Sequence, residues 1–147
     1  MQKINFSTSI NASKEKVWKV LWDDSSYRKW TRVFSEGSYA VTDWKEGSKV
    51  LFLSANGEGM VSKIEMKKPN EFMSFKHLGT VKNGVEDLDS EQTKQWSGAM
   101  ENYTLRETGG STTLTVEMDV TDDFKDYFMN TWPRALEEVK LLSENNQ

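Results

Sequence analysis

The sequence predicts an α+β fold in which a curved antiparallel sheet of about seven strands holds one long C-terminal helix. Three observations carry that prediction. In residues 122–142 apolar side chains recur at steps of three and four: Phe124, Tyr127, Phe128, Thr131, Ala135, Val139 and Leu142 fall on one side of a 3.6-residue spiral, and Trp132 and Leu136 widen the stripe. From residue 38 to residue 120 the chain instead alternates apolar and polar residues between turn signals, the pattern of half-buried strands joined by hairpins. Two short helical stretches, about residues 14–22 and 26–31, stand between a first strand and the rest. An aromatic helix and a sheet with one apolar face bury each other when the helix lies on the sheet and the twisted sheet curls around it.

The elements follow in order. Residues 3–10 alternate around Ile4, Phe6 and Ile10 and read as a strand. Asn11 and Ser13 offer helix caps with Glu15 in the first turn, and Val17, Trp18, Leu21 and Trp22 make one apolar face. A second short helix carries Tyr27 and Trp30. Strands are then expected at 38–44, 48–55, 58–67 and 71–79, a long acidic loop at 80–94, and a final hairpin of 95–106 with 111–120 across Thr108-Gly109-Gly110. Asn56-Gly57 is the strongest hairpin signal, since both residues tolerate the positive φ of a type I′ turn. Thr121, Asp122 and Asp123 supply oxygens and negative charge where the last helix begins. Pro133 removes one helical hydrogen bond and predicts a kink, because the apolar stripe keeps its phase across it.

Composition narrows the function classes. A chain of 147 residues, 36% hydrophobic and 29% charged, predicts one globular domain over 1–147. No apolar run approaches the ~20 residues that cross a bilayer, and the N-terminus has no apolar signal core, so membrane insertion is not expected and a cytoplasmic location is. The chain has no cysteine, which removes disulfides, thiolate metal sites and a cysteine nucleophile. One histidine makes a zinc site a poor expectation, and the acidic loop lacks the glycine and terminal glutamate of an EF-hand. Neither metal nor cofactor is expected. A net charge of −4 argues against nucleic acid as a partner. Six Trp, seven Phe and seven Met are the raw material of adaptable apolar walls.

Strand alternation assigns the inward face. A two-residue turn at Asn56-Gly57 would set Leu53 opposite Met60 and Leu51 opposite Ser62, so that Leu51, Leu53, Met60, Ser62 and Ile64 share a face. In the last hairpin Leu114, Val116, Met118 and Val120 face inward against Leu105, Tyr103, Glu101 and Ala99. Met73, Phe75 and His77 alternate with Ser74 and Lys76, so His77 also points inward. Two titratable groups, His77 and Glu101, thus fall on the apolar face of strands expected to be neighbours. The expected ligand-binding polar groups are His77, Glu101 and Tyr103. The expected walls are Trp30, Phe34, Leu53 and Met60, with Phe75, Trp96, Phe128 and Trp132.

Three stretches carry a family resemblance. INASKEKVWKVLWD, from residue 10, FMSFKHLGTVKNGVED, residues 72–87, and WPRALEEVKLL, residues 132–142, resemble segments of the START/Bet v 1-like (SRPBCC) superfamily, in the branch named for the activator of the heat-shock-protein-90 ATPase. The resemblance implies the helix-grip fold and a hydrophobic cavity between sheet and helix. It does not imply one reaction, since members bind small molecules, cyclise substrates or assist chaperones. The expectation is therefore a monomer binding an apolar or aromatic small molecule. The alternatives are a cyclase- or hydrolase-like enzyme using His77 and Glu101, and an interaction module that regulates a chaperone.

Overall fold

Eight strands and four helices organise the computed structural model, which describes residues 1–145; the last two residues of the expected domain lie outside the described residues. The strands are β1 (Gln2–Ile10), β2 (Tyr39–Val41), β3 (Lys49–Leu53), β4 (Gly59–Lys68), β5 (Phe72–Lys82), β6 (Val85–Asp87), β7 (Met100–Thr108) and β8 (Ser111–Val120). The helices are α1 (Lys14–Trp22), α2 (Asp24–Trp30), α3 (Glu91–Lys94) and α4 (Asp122–Glu144), with a 3₁₀ turn at Thr31–Val33. All pairings are antiparallel and the order is β1-β8-β7-β5-β4-β3-β2, with β6 on β5. The sheet, the two early helices and the long terminal helix are as the sequence predicts.

Helix α1 begins at Ser13, whose hydroxyl accepts from the Lys16 N–H, and buries Val17, Val20, Leu21 and Trp22. Helix α4 runs as one element through Pro133 and lays Thr131, Trp132, Ala135, Leu136 and Val139 on the core. Its first turns do not follow the stripe inward: Phe124 is 54% and Tyr127 44% exposed. Amphipathic spacing identifies a side of the helix, but not how much of that side is covered along its length.

The turn at Asn56-Gly57 is not the expected two-residue type I′ turn. At Asn56-Gly57 the Ser54 N–H donates to the Glu58 carbonyl and the Gly57 N–H to the Ser54 carbonyl, closing a three-residue loop with only Gly57 left-handed (φ 81°). The Asn56 side chain accepts from the Glu58 N–H, which suits an ordinary φ at Asn56. The pairing becomes Leu53 with Gly59, Phe52 with Met60 and Val50 with Ser62. Met60, Ser62 and Ile64 keep their inward assignment, but on β3 it passes from Leu51 to Val50 and Phe52, while Leu53 at the strand end still borders the pocket.

The type I′ turn is at Asn83-Gly84, φ 53° and 77°, where Lys82 pairs with Val85. The expected long loop is thus a hairpin, β5–β6, followed by α3, capped by the Ser90 hydroxyl. A Cβ on Gly79 would run into the Asp87 carbonyl, so this segment folds down over β5, and Val61, opposite Gly79, is buried. Strand β7 consequently starts at Met100 rather than at Gln95. Gly84→Val should cost about 1–2 kcal/mol, because a β-branched residue resists the left-handed conformation. Urea denaturation measures this, and faster amide exchange in β6 should accompany it.

Candidate ligand pocket

The pocket lies where the two early helices, the inner sheet face and the N-terminal half of α4 meet. Tyr27 and Trp30, three apart on α2, share one helical side. The Trp30 indole N–H donates to the Leu21 carbonyl at 3.1 Å and fixes α2 against α1. From α4, Trp132 packs on Phe34 at 5.0 Å, Tyr103 at 5.9 Å and Trp30 at 6.0 Å between ring centroids. The Tyr127 hydroxyl donates to the Phe34 carbonyl at 3.0 Å, joining α4 to the segment that follows α2. These elements leave a cavity of about 340 Å³. Trp22, Tyr27, Trp30, Phe34, Phe52, Tyr103, Tyr127, Phe128 and Trp132 supply its rings. Leu53, Ser54, Glu58, Gly59 and Met60 come from the β3–β4 hairpin, and Thr31, Ser35 and Ser38 from the chain after α2.

The polar part of the pocket is one connected network. Residue pairing sets Ser62 opposite His77, and Glu101 opposite Phe75 and Met118. Two backbone bonds, His77 N–H to the Ala99 carbonyl and Gly98 N–H to the His77 carbonyl, hold this part of β5 just beyond the end of β7. Ser62 Oγ lies 2.6 Å from His77 Nδ1, and His77 Nε2 lies 2.9 Å from Glu101 Oε1. The Tyr103 hydroxyl donates to Glu101 Oε2. Ser62 is fully buried, while the Glu101 side chain keeps 16% exposure.

Burial pushes the Glu101 carboxyl up, but the hydrogen bonds from His77 and from the Tyr103 hydroxyl outweigh it and hold it below its ordinary value of 4.5. Burial, then the Glu101 charge and hydrogen bond, push the Tyr103 hydroxyl far up, so it remains a donor. Tyr27 is raised likewise, first by burial and then by Glu101. Its hydroxyl has no hydrogen-bond partner among the described residues.

The ring of His77 has two possible states here. As an imidazolium it forms an ion pair with Glu101 but leaves the buried Ser62 hydroxyl hydrogen with no acceptor among the described residues. As a neutral imidazole its Nδ1 accepts from Ser62 and its Nε2–H donates to Glu101. Only the neutral form satisfies every donor, and buried donors are nearly always satisfied.

Nine of the eleven residues expected to bind a ligand line this pocket: Trp30, Phe34, Leu53, Met60, His77, Glu101, Tyr103, Phe128 and Trp132. Phe75 does not. It is completely buried behind the wall, edge-on to Phe52 at 5.1 Å and to Trp22 at 5.4 Å. Trp96 does not either, because it sits in the turn after α3, where its N–H donates to the Thr93 carbonyl, and strand alternation does not apply. No residue of 80–94, expected as a long acidic loop, lines the pocket. Trp22, Tyr27, Phe52, Met118 and Tyr127 do, although sequence reasoning did not select them as ligand-binding. Phe52 was lost to the loop register, whereas Tyr27 was detectable as the three-residue neighbour of Trp30.

Solved structures repeat this arrangement over its full length. The Aha1 dimer from Colwellia psychrerythraea superposes with a TM-score of 0.75, covering 100% of this chain and 99% of that one, at 21% identity. The chain has the helix-grip fold. Protein CV1439 from Chromobacterium violaceum shares the helix-grip fold at a TM-score of 0.71 and 18% identity, covering 99% and 100% of the two chains. DynU16, a protein in the dynemicin biosynthetic locus, matches at 0.73 and 14% identity, with the whole of this chain spanning 49% of that one. Identities this low speak for the fold alone. No protein-family model and no curated protein matches the sequence. Among the described residues no helix is long and apolar enough to cross a membrane.

Proposed function

We propose that the chain binds an apolar or aromatic small molecule in the pocket between the sheet and α4. The observation that carries this reading is a ring-lined cavity of about 340 Å³ whose polar groups converge at one place, Glu101. Small-molecule sites are commonly ~300–1,000 Å³, mostly apolar, with a few oriented polar groups. A core built only for stability would close such a space, because interiors pack densely. The pocket therefore also favours ligand binding over a module that works only through its outer surface to regulate a chaperone.

The cyclase- or hydrolase-like reading is weaker for a geometric reason. The hydroxyl on His77 Nδ1 belongs to Ser62, which is fully buried and does not line the pocket, so a substrate there cannot reach it as a nucleophile, and the Nε2 side of the ring is turned to Glu101. His77 instead orients Glu101.

Native mass spectrometry of protein purified from its own host should reveal a co-purifying small molecule. Ethylnaphthalene should also perturb tryptophan emission saturably at one site, since Trp22, Trp30 and Trp132 line the pocket. A ligand-free mass together with no saturable change would overturn the reading.

A further inference from the structure

We propose that the pocket selects an amine: a ligand with an apolar, aromatic-sized body and a protonated nitrogen placed against Glu101. This deepens the ligand-binding reading above and rests on it. The first reason is the charge inventory. The lining residues include two carboxylates, Glu101 inside and Glu58 on the hairpin side, and neither lysine nor arginine. Arg134, whose charge reaches the Tyr127 hydroxyl, does not line the pocket.

The second reason is the hydrogen-bond network. With Ser62 donating to Nδ1, His77 is neutral and leaves the negative charge of Glu101 without a formal counter-charge. A carboxylate has about four acceptor positions, and His77 and Tyr103 occupy two. A buried charge is costly until it is paired, so a cation delivered by the ligand gains what a second anion would lose. Tyr27 lines the same pocket, and its hydroxyl, without a partner among the described residues, offers the ligand a further acceptor.

The third reason is the wall. Tyr27, Trp30, Phe52, Tyr103 and Trp132 line the same cavity as Glu101. Ring faces within ~6 Å of a cation attract it through their quadrupoles, most strongly for Trp and when the cation is desolvated. Rings and a carboxylate together therefore favour a positive head and reject a carboxylate or phosphate head, which would meet Glu101 with no cation to offset it.

The test is a matched series on one apolar body, measured with the intact chain by calorimetry at neutral pH: naphthylethylamine, naphthylethanol, naphthylacetate and ethylnaphthalene. The amine should bind tightest and the carboxylate at least about tenfold more weakly, with the alcohol between them. In Glu101→Gln the ratio of amine to carboxylate affinity should fall by at least about fivefold. An amine no tighter than the alcohol, or a carboxylate tighter than either, overturns the proposal while leaving the pocket as a ligand site. No binding by any of the four, the hydrocarbon included, overturns the ligand-binding reading and the amine preference together. The wild-type series decides by itself, so a Glu101→Gln protein that fails to fold does not block the test.

Discussion

His77→Leu should destabilise the protein by about 3 kcal/mol, near the low end of the cost of removing one member of a buried pair. The leucine fills similar space but donates nothing. Glu101 loses one of its two donors, and the fully buried Ser62 hydroxyl loses the only partner it has in the network. The remaining exposure of Glu101 on the pocket lets water recover part of the loss, which sets the estimate at the low end. Adding Glu101→Gln should return part of the stability, because a neutral amide tolerates the lost donor better than a carboxylate. Urea denaturation of the single and double variants at neutral pH measures both. An equal loss in the two would assign the effect to packing instead.

The same pair predicts how stability depends on pH. The folded Glu101 carboxyl titrates below its ordinary value, so in acid the unfolded chain binds its proton first. Its contribution is fully present above about pH 4.5, the unfolded value, and is lost as pH falls through the lower folded value. In His77→Leu that acid-side contribution should shrink, since the His77 hydrogen bond that helps hold the pKa down is gone. Denaturation midpoints between pH 3 and 6, roughly the window set by an ordinary carboxyl, should therefore converge for wild type and variant towards the acid end.

Trp30→Ala should cost about 3–5 kcal/mol, a large share of the ~5–15 kcal/mol that holds a domain folded. Trp30 is 1% exposed and touches Tyr27, Tyr103 and Trp132, three rings from three different elements. Its indole N–H is also the hydrogen bond from α2 to the end of α1. Alanine would enlarge the cavity and free α2 to shift, leaving the Leu21 carbonyl without this donor. Trp30→Phe keeps most of the ring contacts and should lose less than half as much. Thermal and urea denaturation would show the difference, and a Trp30→Ala change below 1 kcal/mol, where the expected cost of large-to-small core substitution is ~3–5 kcal/mol, would mean that the α1–α2 end does not depend on this contact.

Local pattern was sufficient wherever one periodicity held over many residues. The alternation of Leu114, Val116 and Met118 against Leu105, Tyr103 and Glu101 fixes the last hairpin, and the structure pairs those residues as expected. The phase of Met73, Phe75 and His77 places all three on the buried side for the same reason. The meeting of His77 with Glu101 was legible because strand phase and neighbouring strands are both local deductions. The roles of Ser62 and Tyr103 in that network depend on side-chain directions at the contact, which alternation leaves open.

By itself, the sequence determined the α+β class, the order of elements, the inward phase of β4, β5, β7 and β8, and the aromatic character of the interior. These follow from the repeat of 2 residues in strands and 3.6 in helices, which each segment carries alone. Tertiary structure decided which Asn-Gly pair makes the type I′ turn, and with it whether Leu51 or Phe52 faces the core. It also decided that Trp96 turns away with α3, that Phe75 lies behind the wall, and that Phe124 and Tyr127 on α4 stay exposed. The physical reason is the same in each case. A one-residue change in loop length reverses a strand's faces, and the extent of the opposing surface decides which part of an apolar stripe is covered; neither is contained in the periodicity of the segment concerned.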